Sequence, residues 1–153
     1  MRFPRPTPRP GPIVVGIDGS AGSQRALEWA VVRAAAGQTS LRIVHAVGLP
    51  EPMDPCGYAC WWDPGLVENA HEVLEGAARA AHAQAPELLV TTSLLARAPA
   101  VALLREGRLA ELIVLGRSRP GRLGFRIRSV NAAVVRGARG RVVIVGPDDE
   151  ESA

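Results

Sequence analysis

The sequence predicts an α/β protein built on one parallel sheet with helices on both faces. Three observations predict it. Apolar runs of strand length recur at residues 13–17, 40–47, 87–96, 110–116 and 141–147, as expected for strands buried on both faces. The segments between them carry apolar residues at helical spacing. Strand and helix patterns alternate from start to finish, an order that closes most simply into parallel β-α-β crossovers.

The first strand, 13–17, runs into the turn Asp18-Gly19-Ser20. A helix follows from about Ser23, with Ala26, Leu27, Ala30, Val31 and Ala34 on one face; Gly37 is expected to stop it. Trp29, at the same spacing, is expected in the core. The second strand, 40–47, carries His45 near its end, expected as a satisfied core histidine rather than a base. Residues 48–65 then hold four prolines and three glycines with Cys56, Cys60, Trp61 and Trp62. This is a long loop, and long loops in small domains are usually functional or mobile. Its two tryptophans either pack on the following helix or wall a ligand.

That helix is expected over about 66–84. Val67, Ala70, Leu74, Ala77, Ala78 and Ala81 face inward, and Glu68, His71, Glu72 and Glu75 form a solvated face. After the third strand, 87–96, Pro99 fits the first turn of a helix ending near Glu106. The fourth strand is 110–116. Ser129 is expected to cap the last helix, with Val130, Ala133, Val134 and Gly137 inward. The fifth strand is 141–147. Residues 1–11 read as a disordered, basic, proline-rich arm, 12–147 as the domain and 148–153 as an acidic tail.

Composition excludes several functions. All 18 basic residues are arginine, so neither a P-loop lysine nor a Schiff-base lysine exists. No run approaches the ~20 apolar residues of a membrane span, and the first residues lack a secretory apolar core; a cytoplasmic protein is expected. Without an export signal, Cys56 and Cys60 read as two reduced thiols, and their spacing is not that of a zinc finger. His71 and His82 are about 16 Å apart on one helix, too far to share a metal. No nucleophile, base and orienting group can be assembled by spacing, so a turnover enzyme is not expected. Eight arginines between Gly116 and Arg141 raise the possibility of an anion or nucleic acid. The net charge of only +3, and a cluster whose one aromatic is Phe125, argue against nucleic acid.

In sheets of this kind, ligands bind beyond the carboxyl ends of the strands. Three loops reach that edge: 18–20, the residues from Ala46 onward, and 116–129. The last reads GRSRPGRLGFRIRS, with three glycines and five arginines.

The segments IVVGIDGSAGSQRALEWAV, LRIVHAV, LIVLGRSR and RSVNAAVVRGARGRVVIV, in this order, resemble the universal stress protein family over residues 12–147. The resemblance implies a Rossmann-like, adenine nucleotide alpha hydrolase-like fold: a three-layer, open, five-stranded parallel sheet of order 3-2-1-4-5. It implies a homodimer joined through the last strand, Arg141–Val145, and a regulatory role through protein partners not named by the sequence. Many members of that family bind ATP, which here implies ATP with Mg²⁺; others do not. The binders carry Gly, two residues, Gly, nine residues, then Gly and Ser or Thr. Transferred to this chain, the first glycine is Gly116, the second falls on Arg119, and the last pair falls on Arg128 and Ser129 with the gap one residue short. Val130 follows as in the family. Asp18 matches the family's acidic residue beside the nucleotide, and Ala46 falls where backbone contacts to adenine are made. Two readings follow. Arg119 and Arg128 clamp phosphate through their guanidinium forks. Alternatively they block the cradle, and the fold serves dimerisation and protein partners.

Overall fold

The computed structural model describes residues 10–48, 64–117 and 124–147. The elements are β1 (Ile13–Gly16), α1 (Ala21–Ala36), β2 (Leu41–Ala46), α2 (Pro64–Gln84), β3 (Val90–Leu95), α3 (Pro99–Glu106), a 3-10 turn (Gly107–Leu109), β4 (Leu112–Gly116), α4 (Gly124–Gly137) and β5 (Arg141–Val145). The strands form one sheet in the order β3-β2-β1-β4-β5. Every pairing is parallel, with Ile13 opposite both Leu41 and Leu112, and Leu112 opposite Arg141. The predicted class and strand order are therefore those of the molecule.

Strand alternation divides the core in two. Ile13 and Val15 face α1 and α2, where they pack with Leu27, Val31, Ile43 and Leu74. Val14 faces the other way, with Val44, Leu103, Ile113 and Val134 beneath α3 and α4. Burying each such aliphatic side chain contributes about 1.5–3 kcal/mol. The face predicted for α1, Ala26 to Ala34, is buried throughout. On α2, Ala70, Leu74, Ala77 and Ala81 are buried while Val67 and Ala78 are half-buried. Trp29 is half-buried against the first core rather than inside it. The Arg42 guanidinium on β2 meets the Glu106 carboxylate of α3 at 2.9 Å.

Three helix starts differ from expectation, and α2 begins at Pro64 rather than near residue 66. Helix α1 begins at Ala21, because the Ser20 hydroxyl accepts from the Ser23 amide at 3.2 Å and caps it. Helix α4 begins at Gly124, not at Ser129. Ser129 thus lies inside the helix and is not its cap. The physical reason is in the sequence: arginine is a good helix former and glycine a poor one, by almost 1 kcal/mol. Arg126 and Arg128 let the helix run about 9 Å further toward its N-terminus than a cap at Ser129 would. At the end of α1, Gly37 is the C-cap but keeps φ −82. The left-handed turn falls on Gln38, at φ 49.

Candidate functional site

Beyond the carboxyl ends of β1, β2 and β4 lies a cavity of about 220 Å³. Asp18, Ala46, Gly116 and Val130 all line it. The structure therefore gathers four of the seven candidate residues, from the β1–α1 turn, the ends of β2 and β4, and helix α4. Arg119 lies outside the described residues, as do Cys56, Cys60, Trp61 and Trp62. Arg128 and Ser129 are described as backbone within α4.

The β1–α1 turn is built by its own hydrogen bonds. Gly19 takes φ 81, a left-handed conformation that suits glycine. This brings the Ser20 amide to the Asp18 Oδ1 at 2.9 Å, while the Ser23 hydroxyl faces the Asp18 amide at 3.3 Å. Partial burial pushes the Asp18 carboxyl up. Hydrogen bonds from the Ser20 hydroxyl and amide and the Ser23 hydroxyl, with a smaller attraction from His45, outweigh it and hold the carboxyl below its ordinary value. Asp18 is a carboxylate at neutral pH, exposed at the cavity mouth.

His45 is satisfied, as expected. Its Nδ1 lies 2.7 Å from the Ile17 carbonyl; a carbonyl only accepts, so Nδ1 carries the proton. Strand alternation turns it away from the cavity that Val44 and Ala46 line. It ties the end of β2 to the first turn. Glu68, His71, Glu72 and Glu75 are all exposed along α2.

Gly116 sits where the end of β4 touches the first turn of α1. A Cβ there would overlap the Gly22 carbonyl and come 2.7 Å from the Ser23 amide nitrogen. Asn131, not anticipated from sequence, crosses the cavity from α4 and donates from Nδ2 to the Gly116 carbonyl at 3.1 Å. Ser20, Ser23, Pro99 and Leu103 are also part of the wall. The N-termini of α1 and α3 open toward it, so their dipoles favour negative charge there. Because α4 starts early, the amides of Ser129 and Val130 fall in the helix interior, where they serve i→i−4 bonds rather than an anion.

A second, larger cavity, about 740 Å³, lies at the amino edge between the ends of α1 and α2, lined by Pro10, Gln38, Thr39, Pro86 and Glu87 among others. Among the described residues, no three His, Cys, Asp or Glu side chains gather at one point, and no helix is long and apolar enough to cross a membrane.

A family model described as the universal stress protein family matches residues 11–146. The chain belongs to this family. Among curated universal stress proteins, Rv2028c of Mycobacterium tuberculosis is 34% identical over 148 residues, covering 91% of this chain and 49% of its own length. Rv3134c of the same organism is 29% identical, covering 95% and 53%. The chain spans about half the length of these relatives. Among solved structures, a universal stress protein in complex with cAMP is 30% identical with a TM-score of 0.69, covering 90% of this chain and 97% of that one. The Archaeoglobus fulgidus universal stress protein in complex with dAMP, 23% identical with a TM-score of 0.64, covers 89% of this chain and 98% of that one, and shares the fold.

Proposed function

We propose that this universal stress protein is a regulatory adenine-nucleotide binder that does not turn its ligand over. One observation carries the reading: Asp18, Ala46, Gly116 and Val130, from separate segments, line one cavity at the carboxyl edge. The cAMP complex of a 30% identical family member supports it. In this reading the Ala46 backbone meets the base, and Asp18 accepts from the ribose or shares a Mg²⁺ with the phosphates. Asp18 is the one carboxylate in the wall among the described residues, and Mg²⁺ commonly takes one or two carboxylates plus phosphate oxygens. With the Ser129 and Val130 amides inside a helix, phosphate is met by Arg119 and Arg128 instead. The protein works in the cytoplasm as a homodimer joined through β5, and a protein partner reads its state.

The test is thermal stability with millimolar ATP–Mg²⁺, AMP and cAMP. A nucleotide that binds raises Tm by mass action. No shift with any of the three rejects the reading. The double variant Arg119→Gly, Arg128→Gly decides what the arginines do: as ligands, their removal abolishes the shift; as blockers, it creates or enlarges one. The second reading is a member without nucleotide, acting through dimerisation and partners. The early start of α4 is the observation that favours it, because it removes the free amides of the family's cradle.

A further inference from the structure

The arginine run between residues 116 and 141 divides in space. Arg117, just after β4, and Arg126 and Arg128, in the first turns of α4, belong to the carboxyl edge, whereas Arg136, Arg139 and Arg141 lie at the amino edge, where α4 ends and β5 begins. There they join two arginines from another segment: Arg105, in the last turn of α3, and Arg108, in the 3-10 turn that follows. The two turns are packed side by side. A Cβ on Gly137 would come 2.7 Å from the Leu104 Cδ1, a Cβ on Gly140 would come 3.6 Å from the Ala110 carbonyl, and Arg141 registers with Leu112.

All five arginines are exposed, and neither ion pair found among the described residues involves them. Of the two carboxylates beside them, Glu106 is held by Arg42 at 2.9 Å, which leaves Glu111. Helix dipoles account for arginine in the last turns of α3 and α4. They do not account for Arg108, Arg139 and Arg141.

β5 is an edge strand with β4 on one side only, so its outer row of N–H and C=O groups is a template for another strand. Two copies of one edge related by a two-fold axis pair antiparallel. With the axis near Val143, the middle of β5, Val145 of one copy stands opposite Arg141 of the other. The chain that follows β5 then heads for the second copy's amino edge. Residues 148–151 of that chain read Asp-Asp-Glu-Glu, and the eight residues that follow Val143, up to Glu151, can span at most about 26 Å.

We propose that the patch of Arg105, Arg108, Arg136, Arg139 and Arg141 is the docking surface for residues 148–151 of a second copy. Two reciprocal electrostatic clasps then flank the paired β5 strands. The proposal rests on the homodimer reading above.

The test uses the full chain and sedimentation velocity at 50 mM and 500 mM salt. The variant Asp148→Asn, Asp149→Asn, Glu150→Gln, Glu151→Gln is expected to weaken the dimer about tenfold at low salt and hardly at all at high salt. Reversing the patch with Arg136→Glu and Arg139→Glu is expected to weaken it similarly. Adding Asp149→Lys and Glu150→Lys to that reversal is expected to restore it. A dimer indifferent to both changes at low salt overturns the clasp and leaves the homodimer standing. A chain that is monomeric under every condition overturns both. Salt-sensitive capture of a single-stranded RNA oligonucleotide by the intact dimer, lost in the Arg→Glu variant, also overturns it, since the patch would then be open.

Discussion

The two edges of the sheet each carry a cavity, and the larger one is the poorer candidate. The amino-edge cavity, about 740 Å³, lies where α1 and α2 end, so it receives the carbonyl ends of two helices and has Glu87 in its wall. The carboxyl-edge cavity, about 220 Å³, receives helix N-termini and the hydroxyls of Ser20 and Ser23. Helix polarity makes the first unfavourable to a phosphate and the second favourable. Every helix here returns antiparallel to its strands, so one edge of a parallel sheet collects N-termini and the other collects C-termini. Volume does not enter that choice.

The comparison breaks most visibly at Gly116. Gly116→Val forces a side chain into the Gly22 carbonyl and is expected to cost about 3 kcal/mol. That lowers Tm by roughly 6–12 °C, measured by calorimetry, together with loss of any nucleotide-induced shift. If Tm is unchanged, the close approach of α1 to β4 is not as described. Next is Leu103→Ala, at a residue 4% exposed that belongs both to the core under α3 and to the cavity wall. It should cost about 3 kcal/mol when partly relaxed and widen the carboxyl-edge cavity while leaving the amino-edge one alone; urea denaturation and a crystal structure check both halves.

Asp18→Asn tests the charge at the favoured edge. Nucleotide affinity, by titration calorimetry, should fall about tenfold. The Asp18 carboxyl is held below its ordinary value, so its stabilisation is complete above about pH 4 and disappears as pH falls through the folded-state value. The stability difference between wild type and variant should therefore be constant from pH 7 to about 5 and shrink toward pH 2. A difference that grows on acidification would reverse the assignment. The smallest effect belongs to the amino edge. Gln38→Gly relieves a positive φ and should stabilise by about 0.5 kcal/mol, with no change in nucleotide affinity.

Much of the fold was legible because its signals are local. Val14, Val15, Ile113 and Val114 sit in uninterrupted apolar runs, and β1 and β4 occupy them. Pro99 opens α3, as its fixed φ allows, and α3 ends at Gly107, which keeps φ −75 and lies where a Cβ would overlap the Ile113 side chain. The sequence pattern starts β3 three residues early, because Leu88 and Leu89 look like strand; Leu88 is buried, but Leu89 is 67% exposed just before the strand begins at Val90. The start of α4 lies earlier than the sequence predicts, because serine is a favoured N-cap and Ser129 stands just before the apolar face, whereas the helix propensity of the arginines before it carries the helix back to Gly124.

At the site, Asp18, Ala46, Gly116 and Val130 were legible from strand ends and motif positions. Asn131 was not. Its hydrogen bond reaches a carbonyl fifteen residues away, and only the packing of α4 over β4 determines that contact. Leu103 was hidden for a similar reason, since its helical pattern says core and only the fold says cavity wall.

The contact between Gly22 and Gly116 gives one glycine two possible employers. The first turn of α1 presses on the end of β4 whether or not a nucleotide is bound, so packing alone demands that position 116 carry no side chain. Gly116 by itself is therefore no witness to ligand use in this chain. Asp18 is a better one, because its carboxylate is exposed at the cavity mouth and no packing contact requires its charge.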